Sequence, residues 1–235
     1  MTKKLQKLIL FGASPFPETL QIVQDINKNK PKYDIVGILD DDPDSHNKEI
    51  EGVTVLGPLK LAKDYNDVKF VNCIGNYDSR LTKYDILKRL KISVERYETL
   101  IHPQANINSS AKIGAGCIIH YGAMVYPYSV LYPFCEIMAN AVIGTNNTVC
   151  EGAIVASLVA TTPNVIIGHY SHIGTGACIR ENIKIGTAAQ VAMGSVVFKD
   201  VPPGVFCLGN PLRFLSKSEV PNELLEKWEI LLESC

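Results

Sequence analysis

From Ala105 to Asp200 the chain divides into sixteen consecutive blocks of six residues, with no insertion between them. The third residue of fifteen blocks is aliphatic, from Ile107 and Ile113 through to Val191 and Val197, and Thr161 is the exception. The first residue is Ala, Ser or Cys in twelve of the sixteen, and Gly follows the aliphatic residue at 114, 144, 168, 174 and 186. A period of six matches neither the 3.6 of a helix nor the simple alternation of a sandwich strand. It is the mark of a repeat that stacks on itself. Each hexad makes one short strand and one corner. The aliphatic residue points inward, the small residue leaves it room, and Gly and Asn accept the corner's backbone angles. Three hexads close one triangular turn, so sixteen predict about five coils, stacked at roughly the 4.8 Å strand spacing. Thr161 reads either as a tolerated polar residue in a looser layer or as a coil modified near a site.

Composition narrows the function classes. The net charge is −1, which gives no basis for general binding to nucleic acid or to an anionic membrane. No apolar run approaches the roughly 18 residues of a membrane span. The first residues lead into only a short apolar strand, so no signal peptide is expected. Seven cysteines, an odd count without zinc-type spacing, read as reduced cytosolic thiols, and no metal site is expected.

Ahead of the repeat, residues 1–100 read as a small Rossmann-like parallel α/β domain. Lys7–Phe11 is a buried-strand run, Gly12-Ala13-Ser14 a turn, and Glu18 to Asn29 a helix by its apolar spacing. Tyr33–Leu39, Val53–Leu56 and Val68–Ile74 supply further strands, Asp85–Leu90 a helix, and Ser93–Tyr97 an extended segment. Only one glycine follows the first strand, and Pro15 and Pro17 remove backbone donors, so full dinucleotide binding is not expected. Asp40 and Asp41, at the end of the second strand, are placed either for a ribose contact or as a solvated turn before Pro43. Residues 101–200 form the repeat domain. Residues 201–235 form a tail that leaves at Val201-Pro202-Pro203-Gly204 and ends in an amphipathic helix over Pro221–Glu233.

Several segments taken together resemble the sugar acyltransferases of the sialic-acid and bacillosamine type. They are LILFGAS, YDIVGILDDDP, GVTVLGPL, FVNCIGNYDSR, LIHPQANINSSAKIG, IIGHYSHIGTGACIRENIKIG, GSVVFKDVPPGVF and GNPLRFL. The resemblance extends to about Leu215. It implies that the repeat is a left-handed parallel β-helix, that three such prisms form a homotrimer, and that acetyl-CoA lies between neighbouring prisms. It also implies a nucleotide-linked amino sugar held partly by the first domain, and N-acetylation of its amine for surface glycans such as an O-antigen. A sugar O-acetyltransferase is the nearest variant.

The sequence departs from this family at one point. The family's catalytic His falls in register on Pro163, with Thr162 and Asn164 as neighbours. Pro cannot accept a proton. Three alternatives stand: His169, of the same rank in the next hexad, serves instead; a neutral amine attacks unaided; or the protein is a non-catalytic homologue. His120 lies too far back along the stack. The resemblance places His172 near the thioester, Gly174 and Gly176 where backbone N–H groups meet the cofactor, and Arg180 and Lys184 near pantetheine or phosphates. It places Asn210, Pro211 and Arg213 in a tail that closes over CoA. Gly12, Ser14, Asp40, Asp41, Gly75 and Asn76 match positions lining the nucleotide pocket, and Asn164 lies by the acceptor sugar.

Overall fold

A computed structural model describes residues 4–13, 16–74, 80–216 and 219. The chain divides into two compact units, Met1–Pro103 and Gln104–Cys235.

The first unit is a five-stranded sheet with two helices. Strands β1 (Gln6–Phe11), β2 (Tyr33–Leu39), β3 (Glu49–Ile50), β4 (Val53–Gly57) and β5 (Lys69–Asn72) lie in the order β3-β4-β2-β1-β5. All neighbours are parallel except the β3–β4 hairpin. The unbroken apolar run Leu8-Ile9-Leu10-Phe11 occupies β1, an interior strand paired on both sides, and is fully buried, as a strand covered on both faces requires. Helix α1 (Phe16–Asn29) turns Leu20, Ile22 and Val23 inward, and α2 spans Arg80–Leu90. Both helices begin before the apolar spacing indicates. The extended segment expected over Ser93–Tyr97 is instead a 3-10 turn at Val94–Arg96. Only Tyr97 then pairs, with Phe70 on β5. Phe11, Phe70 and Tyr97 stack around this point, with Phe11 and Phe70 ring centres 4.7 Å apart. His102, from the linking segment, is buried and hydrogen-bonds Asp25 on α1 at 3.2 Å.

The second unit is the expected parallel β-helix. Every hexad contributes a two-residue strand at its second and third positions, from Asn106–Ile107 to Val196–Val197. Strands 18 residues apart pair in parallel register, as Asn106 does with Met124 and Lys112 with Val130, so three sheets run the length of a triangular prism. Face one runs from Asn106–Ile107 to Val196–Val197, face two from Lys112–Ile113 to Lys184–Ile185, and face three from Ile118–Ile119 through His172–Ile173 to Gln190–Val191. The third-position residues from Ile119 onward are buried inside.

The corners use two separate devices. The sixth residue of fourteen successive hexads, from Gly116 to Gly194, takes φ between 51° and 70°, the left-handed region that Gly and Asn enter most readily. The fourth-position glycines instead serve close approach. A Cβ on Gly174 would sit 2.6 Å from Met193 N, and one on Gly144 2.5 Å from the Thr161 carbonyl. Thr161 is explained by a second exception, Asn147 at a first position. Thr161 Oγ1 accepts from Gly144 N at 2.9 Å and Asn147 Nδ2 at 2.5 Å, and donates to the Val142 carbonyl at 3.1 Å. Asn147 Oδ1 accepts from Val165 N at 2.8 Å, and its own N–H donates to Ser129 Oγ. The break in the ladder is a satisfied buried polar layer, not a loosened coil.

After Val201 the chain adds Phe206–Leu208 to face three, beside Gln190–Val191, and Arg213–Phe214 pairs antiparallel with that strand. The amphipathic helix expected over Pro221–Glu233 lies outside the described residues.

Candidate functional site

In the first unit the chain leaves β1 toward one side of the sheet and enters β5 from the other, so the strand order reverses between them. Crevices form outside the carboxyl ends of strands at such a switch point. Gly12, Ala13, Asn72, Cys73 and Ile74 stand there. Gly12 has φ +91°, donates its N–H to the Leu39 carbonyl at 2.9 Å, and leaves room for Ile74, whose Cγ1 lies 2.9 Å from where a Cβ would be. Asn72 is buried and clasps the Ile74 backbone through both ends of its amide. Ser14, Gly75 and Asn76 lie outside the described residues.

Asp40 and Asp41 organise the neighbouring loops. Asp40 accepts from Ala13 N at 2.7 Å and from Asp42 N at 2.8 Å. Asp41 accepts from Leu59 N at 2.9 Å and Arg89 Nη2 at 2.7 Å. Neither is a merely solvated turn residue. Each carboxylate ties its own loop to a distant segment, Asp40 to the turn after β1 and Asp41 to Leu59 and α2.

On the prism, the corner between faces one and two carries the hexad positions that hold no His in this sequence. Thr162, Pro163 and Asn164 are exposed there. Asn164 belongs to an asparagine ladder: Asn146 Nδ2 donates to Asn164 Oδ1 at 2.8 Å, and Asn164 Nδ2 donates to Asn182 Oδ1 at 3.1 Å. Thr162 Oγ1 donates to the Ile179 carbonyl at 3.1 Å. One coil along the same corner follow Arg180, Glu181 and Asn182, and Asn182 N donates to the Pro163 carbonyl at 3.1 Å. Glu181 therefore occupies the rank of Pro163 on the adjacent coil, with Arg180 Nε 3.6 Å from its Oε1. Nothing in the residue type or spacing of Glu181 marks it. Its place becomes visible only when 18 residues are wrapped into one turn.

His169 is exposed on the corner between faces two and three, and its carbonyl accepts from Ala188 N at 2.8 Å. His172 is half-buried on face three, in register with Ile154 and Gln190. Gly174 and Gly176 do not offer their N–H groups to a cofactor. Gly174 N donates to the Val191 carbonyl at 2.8 Å and Gly176 N to the Ser157 carbonyl at 2.9 Å, because stacking coils consume these donors. What Gly176 does supply is open space, since nothing lies within 4 Å of where its Cβ would be. Arg180 and Lys184 are exposed but stand apart, one on a corner and one on face two, where Lys184 N donates to Asp200 Oδ1 at 2.8 Å. Asn210 and Pro211, joined by a cis peptide, and Arg213 follow the strand that extends face three, the sheet of His172. Sheet position thus groups His172 with the tail residues and sets Arg180 and Lys184 elsewhere.

Among the described residues, no group of three His, Cys, Asp or Glu side chains is placed to hold a metal ion, and no helix is long and apolar enough to cross a membrane.

Residues 7–87 match the family model of the PglD N-terminal domain. YvoF of Bacillus subtilis (strain 168) is 27% identical over 174 residues, 74% of this chain and 94% of that protein. The acetyltransferase domain of PglB from Neisseria gonorrhoeae FA1090, in complex with acetyl coenzyme A, superposes with a TM-score of 0.76 at 24% identity, covering 90% of this chain and all of that one. PerB from Caulobacter crescentus, in complex with CoA and GDP-perosamine, gives 0.77 at 20% identity, covering 91% and 99%. These structures share the fold, a Rossmann-like α/β domain and a parallel β-helix.

Proposed function

We propose that the protein is an acetyl-CoA-dependent N-acetyltransferase acting on the amino group of a nucleotide-linked deoxyamino sugar, in the cytoplasm, for surface glycan biosynthesis. The observation that carries this reading is the combination, in one chain, of a PglD-type domain with a switch-point crevice and a hexad-repeat prism. Two proteins of the same fold support it: the PglB domain in complex with acetyl coenzyme A, and PerB in complex with CoA and GDP-perosamine. Gly12, Asp40 and Asp41 would shape the nucleotide end of the site. His172, with Asn210, Pro211 and Arg213 on the same sheet, would meet the cofactor.

The chemistry is nucleophilic acyl substitution. The sugar amine, in its neutral form, attacks the thioester carbonyl carbon. A C–N bond forms, the C–S bond breaks, the CoA thiolate leaves, and the nitrogen loses a proton. Pro163 cannot take that proton. Glu181, one coil along the same corner, is the carboxylate best placed to attract the amine and accept it. An amine needs such help far less than a hydroxyl does, which favours N- over O-acetylation. A homotrimer is part of the proposal. Met124, Val142, Ala160, Cys178 and Val196, the outward residues of face one beyond Asn106, form an uncharged stripe along the prism that a neighbouring prism would cover.

The test is thiol release from acetyl-CoA with a panel of nucleotide-linked amino sugars. Release with one member, reduced at least about tenfold by Glu181→Gln, supports both the reaction and the role of Glu181. Unchanged release in the variant rules out Glu181, and unchanged release in His169→Ala as well assigns the step to unaided attack. Pro163 also favours a second reading, a non-catalytic binding homologue. CoA binding without release on any amine or hydroxyl acceptor would select it.

A further inference from the structure

The unit Met1–Pro103 has a second concavity, at the amino ends of its strands and so at the opposite edge of the sheet from the switch-point crevice. It encloses about 1070 Å³ between the starts of β1, β2 and β5, the end of α1 and the segment 96–103. Six cationic side chains border it, Lys4, Lys7, Lys30, Lys32, Lys69 and Arg96, against one lining carboxylate, Asp67. The chain as a whole carries a net charge of −1, so this is a local concentration of positive charge rather than a generally basic surface.

Part of that charge has structural uses. Lys32 pairs with Glu98 at 3.3 Å and donates to the Tyr33 hydroxyl, and Lys30 sits at the negative end of α1. The rest does not. Arg96 is held with its guanidinium 4.8 Å from the Phe70 ring centre, donating to the Val68 carbonyl at 3.1 Å and to the Tyr65 carbonyl. Lys69 donates to the Glu95 carbonyl. Carbonyl partners orient a cation without neutralising it. Among the described residues, no carboxylate lies within ion-pair distance of Lys4, Lys7, Lys69 or Arg96. Leu5, Ile26, Val68 and Ile101 add an apolar wall.

We infer that this cavity binds the di- or triphosphate chain of a small anionic molecule, at a site separate from the switch-point crevice. Several cations around one concave floor suit several phosphate oxygens at once, with the lysines as point charges and Arg96, anchored by its two carbonyl partners, adding a fixed positive charge at the wall. The volume admits more than the phosphates, and the apolar wall lies where an organic group would rest.

The test uses the full chain. Inorganic tripolyphosphate and a nucleoside triphosphate are titrated separately, by calorimetry, into the wild type and a Lys7→Glu/Lys30→Glu variant, both positions being exposed. Saturable tripolyphosphate binding at one site per chain is expected, weakened about tenfold or more in the variant and by added salt. Tighter binding of the nucleotide assigns the apolar wall to its organic part, whereas equal binding assigns the site to phosphates alone. A Lys7→Gln/Lys30→Gln variant with an unchanged thermal midpoint separates loss of charge from loss of fold. No saturable binding by the wild type, or undiminished binding by both variants, overturns the inference.

Discussion

The sixth residue of fourteen successive hexads is held at positive φ whatever its side chain, and not every side chain suits that position. Gly and Asn fill nine of the fourteen corners, but Tyr128, Phe134, Leu158, Tyr170 and Ala188 occupy the others. Tyr170 is compensated, being buried over Gly152 and hydrogen-bonded to Glu151 at 3.0 Å. Leu158 is 61% exposed and has no such support. Leu158→Asn is therefore expected to stabilise the protein by about 0.5–1 kcal/mol, the order of the strain relieved, read as a higher denaturant midpoint at unchanged slope. The fourth position behaves oppositely. Gly174→Ala drives a Cβ into the Met193 backbone and should cost about 2–3 kcal/mol on the same measurement. A glycine inferred from its repeat spacing alone thus has two different physical meanings, and only the stacked backbone tells them apart.

At the scale of elements, two polar devices stand out against apolar packing. Inside the prism, Ser129, Asn147 and Thr161 form a buried layer. Thr161→Val restores the aliphatic ladder yet leaves Gly144 N and Asn147 Nδ2 without their acceptor, so it should destabilise by about 1–3 kcal/mol. Adding Asn147→Ala should cost less than the sum of the two single changes, because one disrupted network is then shared between them. In the first unit, Asp25 accepts from Lys28 at 2.8 Å, from Gln21 at 3.0 Å and from His102. These bonds, that of Lys28 foremost, hold its carboxyl well below its ordinary value near 3.8. A depressed carboxyl contributes stability that is full above the unfolded value and is lost as pH falls below it. Stability should therefore decline with acid below about pH 4, and Asp25→Asn should flatten that decline in a urea–pH series.

For the molecule as a whole, the prism was legible because its constraint is local and repeated. Fifteen aliphatic third positions leave one way to bury them, and the strands follow at the second and third places of every hexad. The α/β domain was legible in its strands, since buried runs such as Leu8–Phe11 are continuous, but less so around Ser93–Tyr97, where a short turn and a single bridge replace a strand. The site was less legible for a geometric reason. Residues adjacent on the prism are 18 apart in sequence, so Glu181 beside Pro163, and the asparagine ladder through Asn164, carry no linear signature. Gly174 and Gly176 were expected to offer N–H donors, yet the stacking of coils had already used them.

The account rests on acyl transfer to a nucleotide-linked amino sugar. The direct measurement is mass spectrometry of such nucleotides after incubation with the full-length protein and acetyl-CoA. Gain of a single acetyl group on the sugar nitrogen of one of them, matched mole for mole by released CoA, is the predicted result. A full panel of amino sugars left unmodified, by protein shown to be folded and to bind acetyl-CoA, would contradict it.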